Sequence, residues 1–465
     1  MRKAASLFLK LFIIGALAVV ILISLYLVDN VISDRQSYRD QAVASISQSY
    51  ATEQRILGPL LVQPYRQSTP VETTTDKGVK KVEIHTVEST YTIFPDQLSV
   101  KGVIKPSLRR HGLYRVPVYE FQGTLSGHFS VPPPTIKGDV QFGVPYIAFA
   151  IRDARGIVGT PVMRLNGVAS TVEGTGLTNV EQDSPVHPDL MWGANLRSLV
   201  PAVTGKAGAI DFTLDLTLAG TQKLELVPVA TSNRFELTSP WTEPLFAGQF
   251  LPRTREIGSD GFHAVWEVSS LASATQHQMN TGEKDIDEVD VTLADPVDPY
   301  RLSDRAVKYG ILFVLLTFGG FFLFEIGKQM QIHPVQYLLV GFCLAVFFLL
   351  LVSFSEHIPF GTAYLAASTA CIGLLTYYLV FVLHSTRYGL AFGTILATLY
   401  AAIYGLLVSE DNALLLGSLL LFGVLAIVMI VTRKIDWYAR TAEIVSPPAE
   451  PVSINDGLPG SPASQ

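Results

Sequence analysis

Five apolar runs crowd the last third of this 465-residue chain, at Tyr309–Phe324, Val335–Phe354, Ile358–Leu383, Tyr388–Val408 and Ala413–Val431, with a sixth near the start at Leu11–Val28. About 18 or more uncharged apolar residues suffice for a helix to cross the roughly 30 Å hydrocarbon core of a bilayer. The runs therefore predict six membrane-spanning helices. The second, at 16 residues, is the shortest. The first run is preceded by Arg2 and Lys3, as in a signal peptide, but its nearest small-x-small triplet, Ala42–Ala44, lies 14 residues beyond the run in a polar stretch. A cleavage site follows the apolar run almost directly, so the sequence predicts an uncleaved anchor.

Short loops report orientation through their lysine and arginine content. With the N-terminus inside, the inner segments hold Arg2, Lys3, Lys10, Lys328, Arg387, Arg433, Lys434 and Arg440. The outer loops Ser355–His357 and Ser409–Asn412 hold no lysine or arginine. Arg301, Arg305 and Lys308, just before the second run, end a long translocated region where the rule loses force. The expected organisation is a cytoplasmic N-terminus and first span over 1–28, an extracytoplasmic domain over 29–308, a five-helix unit over 309–434 and a cytoplasmic tail over 435–465, rich in Pro, Ser and Gly and read as disordered.

The middle region carries 26 Lys plus Arg against 32 Asp plus Glu, so the chain's net charge of -6 belongs to it. No part is basic enough to predict a nucleic-acid partner. Both cysteines, Cys343 and Cys371, fall in apolar runs, which leaves the middle region without a disulfide or a thiolate metal site. Ala209–Gly220 alternates Ile210, Phe212, Leu214, Leu216 and Leu218 with Asp211, Thr213, Asp215 and Thr217, the period-two pattern of a strand with one buried face. Similar runs punctuated by Gly156, Asn233, Pro252 and Gly261 predict many short strands, hence an antiparallel sandwich or barrel-like sheet. Asp34–Tyr50, free of proline and glycine, is read as a helical continuation of the first span.

The chain contains no H-E-x-x-H, G-x-S-x-G, S-x-x-K or G-x-x-x-x-G-K-[ST] motif, and the histidines of the middle region lack ligand spacing. No cofactor, metal or catalytic residue is expected. Polar side chains in unusual settings remain as candidates. Arg152, Asp153 and Arg155 follow an apolar strand, where they suit either recognition of a carboxylate or phosphate or a structural ion pair pinning the strand end; the ion pair is the expectation. Glu325 and His333 fall at the inner ends of spans, and Glu356, His357, Glu410 and Asp411 at the outer ends. Span-end groups snorkel or cap helices, whereas ionisable groups inside hydrocarbon carry function. Ser409, Asp411 and Asn412 suit the N-cap of the last span.

Several long segments, in order, carry a family resemblance: "QRILGPLLVQPY", "RDARGI", "PLFAGQFLPRTREIGSDGFHAVWE", "RLSDRAVKYGILFVLLTFGGFFLFE", "HPVQYLLVGFCLAVFFLLLVSFSEH" and "SEDNALLLGSLLLFGVLAIVMIVTRKIDWY". Together they resemble the CreD family of inner membrane proteins, also called the Cet or colicin-tolerance family, from about Ser33 to Tyr438. The resemblance implies an uncleaved protein of the Gram-negative inner membrane with a large periplasmic region. It also implies a link to a two-component regulon, to envelope integrity and to colicin and β-lactam susceptibility, with no catalytic residues. The reading is a non-enzymatic envelope-integrity protein whose partners are membrane lipids and envelope proteins. The alternatives are a small transporter or lipid-handling protein, or a membrane enzyme using the outer-face acids. The orientation has a direct check. A reporter active only outside the cytoplasm is expected to work when fused after Gly220 and to be silent after Tyr438; the opposite pattern at either site contradicts the six-span arrangement.

Overall fold

The computed structural model describes residues 2–74, 80–136, 138–175, 194–283, 285–293, 299–328, 332–409 and 412–433. Eight α-helices occur among them: α1 (Arg2–Ser49), α2 (Thr275–Thr281), α3 (Pro299–Lys308), α4 (Gly310–Lys328), α5 (Pro334–Ser355), α6 (Phe360–Val382), α7 (Thr386–Val408) and α8 (Ala413–Thr432). The chain divides into two compact units, one of Met1–Gln36 with Val297–Gln465 and the other of Ser37–Pro296.

In the helical unit, α1, α5, α6 and α7 are each long and apolar enough to cross a membrane. α3 and the start of α4 make a fifth only if counted as one span bent by 41°, and the described apolar part of the last helix, Leu415–Ile430, is shorter. The second span, expected from Tyr309, thus starts in this bent pair. α1 is one helix to Ser49, because Asp34–Ser49 offers no proline or glycine to stop it. The helices pack through small residues and aromatic rings. A Cβ on Gly341 of α5 would stand 2.4 Å from Ile21 Cγ1, so the glycine is what lets α1 approach that closely. Phe313, Phe347, Tyr364 and Tyr400 stack edge to face across α4 to α7, with the Phe313 and Tyr400 centroids 4.6 Å apart.

The other unit is two sheets around one core. A nine-stranded sheet follows the path Pro244–Gly248, Val289–Leu293, Lys223–Leu226, Gln54–Thr74, Tyr146–Ile151, Ala194–Leu199, Glu173–Thr175, with Lys80–Ile93 and Asp139–Phe142 also on Gln54–Thr74. An eight-stranded sheet follows Thr254–Gly258, Gly261–Ser269, Ser232–Ser239, Gln97–His111, Tyr114–Val131, Gly208–Thr221, Val162–Leu165, Val168–Ser170. Both contribute apolar side chains to a common core, as alternation along half-buried strands requires. The strand read from Ala209–Gly220 is one of them, and Ile210, Phe212, Leu214, Leu216 and Leu218 are buried in it.

The expected all-antiparallel arrangement needs correction. Gln54–Ile56 pairs in parallel with Leu224–Leu226, and Ser232–Thr238 in parallel with Gln97–Val103, so both sheets are mixed. Parallel neighbours are joined by long connections, and alternation within a strand carries no record of which distant strand lies beside it. The unit's entry and exit also meet. Thr221 N–H donates to Thr52 O (3.2 Å), and Leu293 N–H donates to Gln222 O (2.8 Å).

Trp266 is fully buried, edge-on to Phe246 with centroids 5.5 Å apart, and its Nε1 donates to Phe250 O at 3.1 Å. Trp266→Ala is expected to destabilise the unit by about 3–5 kcal/mol, read as a lower denaturant midpoint. Trp266→Phe keeps most of the packing and is expected to cost less.

Candidate functional site

The segment Arg152–Gly156 forms a staple. A 3-10 turn over Ala154–Gly156 is capped by Asp153, whose Oδ1 accepts from Arg155 N (3.1 Å). The same carboxylate accepts Arg155 Nε (2.9 Å) and Nη2 (2.6 Å), the paired geometry of a guanidinium on a carboxylate, and Thr52 N (3.0 Å). Arg155 Nη1 donates to Gln48 O (2.6 Å), answering a carbonyl that the last turn of α1 leaves free. Gln54, fully buried, donates to Asp153 O (3.1 Å) and Ala219 O (2.9 Å), while its Oε1 accepts from Asp153 N (3.2 Å). A Cβ on Gly156 would lie 2.3 Å from Ala219 O, so the turn closes only around glycine.

Arg152 turns the other way, into a buried row of charges. The register places Arg55 opposite Glu225 and Glu225 opposite Asp290 across three strands of the nine-stranded sheet. Arg55 Nε donates to Glu225 Oε2 (2.8 Å), and Lys223 Nζ reaches Glu225 Oε1 (2.8 Å) and Asp290 Oδ2 (3.1 Å). Arg152 donates to Glu225 as well, and stands 3.6 Å from Glu53. Arg55 Nη2 lies 2.5 Å from Glu288 Oε2, an ion pair without hydrogen-bond alignment, which leaves that buried oxygen without a donor. Asp290 Oδ1 is likewise buried without a donor. Burial works against ionisation of Glu225, but Lys223, Arg55 and Arg152 outweigh it and hold the carboxyl below its ordinary range. Glu288 moves the opposite way: burial, then the charge of Glu225, push its pKa up.

The groups marked at span ends separate. His333 caps α5, accepting from Val335 N through Nδ1 (3.3 Å), while Gln336 Oε1 accepts from His333 N (3.2 Å). His357 is exposed, its Nδ1 3.1 Å from Ser353 O. Glu356 Oε1 accepts from Tyr300 OH (3.2 Å) and lies 3.5 Å from Arg35 Nε. Glu325 is turned inward at 7% exposure, accepting Tyr337 OH (3.0 Å) and Ile332 N (3.2 Å). Phe318 and Phe321 present their edges to the Tyr337 ring. Glu410 and Asp411 lie outside the described residues, and Asn412 at the start of α8 makes no side-chain cap bond.

Of the three residues singled out in the sequence, Asp153 and Arg155 pair with each other and Arg152 joins the charged row instead; sequence reasoning missed Gln54, Arg55, Lys223, Glu225, Glu288 and Asp290. The signal was present: charges two apart in "KLEL" and "EVDV" share a strand face. It also missed a groove of about 680 Å³ on the eight-stranded sheet, remote in topology from the charged row. Lys101, Gln122, Thr124, Asp215, Glu236 and Thr238 line it. Thr124 donates to Asp215 Oδ1 (2.7 Å), as does Arg164 to Oδ2 (2.7 Å), and Lys101 stands 3.6 Å from Glu236. Among the described residues, no group of three or more His, Cys, Asp or Glu is placed to hold a metal ion.

A set of apolar helices and a two-sheet unit with a buried row of charges find their match among known proteins. The family described as inner membrane protein CreD matches residues 6–438. The chain belongs to the CreD family. Inner membrane protein CreD of Escherichia coli (strain K12) is 35% identical over 444 residues, covering 94% of each chain. This CreD-family chain is thus an inner membrane protein with several apolar helices and a large mixed-sheet unit. Among solved structures, an M1 zinc metallopeptidase of Deinococcus radiodurans aligns at a TM-score of 0.23. It is 8% identical, over 76% of this chain and 93% of that one. A mutant form of that metallopeptidase gives the same score at 9% identity, over 43% of this chain and 42% of that one. Scores of this size carry no inference for a CreD-family chain.

The Asp153 pair generates a pH dependence. The Arg155 hydrogen bond holds the Asp153 carboxyl well below the usual carboxylate range, with Thr52 N adding to it. A folded pKa depressed below the unfolded one gives stability that is full above about pH 4 and is lost as pH falls through the folded value. Asp153→Asn is therefore expected to lower the melting temperature at pH 7 and to shallow the decline of stability below pH 4. A mutant curve parallel to the wild type at acid pH argues against this origin.

Proposed function

We propose that this CreD-family chain is a non-enzymatic envelope-integrity protein. It spans the inner membrane six times with both termini in the cytoplasm, and holds the two-sheet unit in the periplasm to bind a polar envelope component in the groove around Thr124, Asp215 and Thr238. The observation that carries the reading is the contrast between two sets of polar groups. Arg152, Asp153 and Arg155 are committed to closing the turn and the charged row, whereas Lys101, Thr124, Asp215 and Glu236, although paired with one another and with Arg164, line an open concave sheet face. Binding sites need a concave surface with a few convergent polar groups; catalysis needs in addition a nucleophile or base poised for a substrate. The name of the Escherichia coli relative, which states a location and no reaction, agrees with this. The lysine and arginine distribution of the short loops supports the orientation.

A second reading, as a transporter or lipid-handling protein, draws on Glu325, an ionisable group buried inside the helical unit and bonded to Tyr337. Complementation of a deletion strain, scored as growth under envelope stress, separates the two. Thr217→Tyr with Thr238→Tyr fills the groove from half-buried positions and is expected to abolish complementation while membrane abundance and melting temperature stay near wild type. Glu325→Gln is expected to complement. Full activity of the groove variant, or a null Glu325→Gln at normal abundance, overturns the binding reading, the latter in favour of transport.

A further inference from the structure

The chain's two cysteines are 28 residues apart and lie on different helices, yet their sulfurs meet. Cys343 Sγ of α5 stands 3.3 Å from Cys371 Sγ of α6, and both are free thiols. Cys343 is the tenth residue of a 22-residue helix and Cys371 the twelfth of a 23-residue one. At 1.5 Å per residue, each sulfur lies about 13–18 Å from either end of its helix. The pair therefore occupies the middle of two membrane spans. Cys371 is buried, and Tyr400 OH of α7 donates to its Sγ at 3.1 Å. The Tyr400 ring packs on Phe313 of α4 (4.6 Å) and Phe347 of α5 (4.8 Å), and its backbone carbonyl accepts from Tyr364 OH of α6 (2.8 Å).

We propose that Cys343 and Cys371 form an oxidation site within the membrane, converted to an α5–α6 disulfide by a lipid-soluble quinone. Two thiols already in contact need little helix movement: the sulfurs close from 3.3 Å to the roughly 2 Å of a disulfide. The depth of the pair selects the oxidant, because ions and small polar oxidants do not partition into hydrocarbon, whereas a quinone does. In the step, the two S–H bonds break and one S–S bond forms. The two protons and two electrons pass to the quinone, which leaves as the quinol. A fully substituted quinone ring has no free carbon to which a thiol adds, so transfer is the outcome rather than a covalent adduct. Oxidation is felt beyond the two helices. Drawing Cys371 towards Cys343 displaces the acceptor of the Tyr400 hydroxyl, and Tyr400 is the ring on which α4, α5 and α6 converge.

The test uses the full chain, reduced and reconstituted in lipid nanodiscs, then incubated with decylubiquinone, with the water-soluble oxidant tetrathionate, or with neither. After denaturation, free thiols are counted by the gel shift of a polymer-linked maleimide and the intact mass is measured. Untreated protein is expected to take two adducts. Protein exposed to the quinone is expected to take none, to lose the mass of two hydrogens and to yield one quinol per chain. Tetrathionate is expected to act much more slowly. Cys343→Ser is expected to keep its single adduct throughout. Two alkylatable thiols after excess quinone overturn the proposal, as does thiol loss that appears as cross-linked dimers on a non-reducing gel. Faster loss with tetrathionate than with quinone overturns the assignment of the oxidant. The wild-type mass decides the question even where the serine variant fails to insert.

Discussion

The grip of Asp153 on Arg155 and Thr52 fixes where the β-rich unit begins. An exposed ion pair is worth little, but this carboxylate is nearly buried and accepts backbone and guanidinium donors at once. Around it, Gln54 ties the turn to Ala219, and Arg155 ties it to the last turn of α1. Removal of the carboxylate therefore frees the end of a helix and the start of the first strand together. The neighbouring row of Arg55, Glu225 and Asp290 extends the same design sideways: Lys223 and the two arginines answer the carboxylates that the register brings together, which is the condition for charges to be tolerated in a sheet away from water.

What could be read in advance followed from periodicity and charge. Ala209–Gly220 declared its strand because its apolar face repeats every second residue, and α5, α6 and α7 declared themselves because an uncharged run of that length has few other stable states. The parallel pairing of Gln54–Ile56 with Leu224–Leu226 was illegible, since nothing in either strand encodes a partner 170 residues away. The charged row was misleading for a related reason. Lys223 and Glu225 alternate with leucines as on a solvent face, and only tertiary packing reveals that Glu225 is 2% exposed.

Glu325 shows the same limit from the membrane side. Its place after an apolar run marks a helix end, and a helix end leaves open whether the side chain reaches outward or folds back. A tyrosine in the first turn of the next helix decides the matter: Tyr337 OH and Ile332 N supply donors on the inner side. The sulfurs of Cys343 and Cys371 met for reasons equally invisible in one dimension, as products of how α5 and α6 lie against each other.

The meeting of entry and exit beside Thr221 and Gln222 has a consequence for synthesis. The first strand, Gln54–Thr74, takes Lys223–Leu226 as its parallel neighbour, and that strand in turn pairs antiparallel with Val289–Leu293. The Gln54–Ile56 end of the first strand thus waits for its neighbour until Leu226 has been made, whereas Leu61–Thr74 pairs with Lys80–Ile93, the next strand to emerge. Pairings of such sequence separation close slowly, and an open edge invites the wrong neighbour. The newborn unit consequently passes through a stage at which a chain cut short anywhere before Leu293 holds a sheet it cannot finish, so completeness is checked by its own topology.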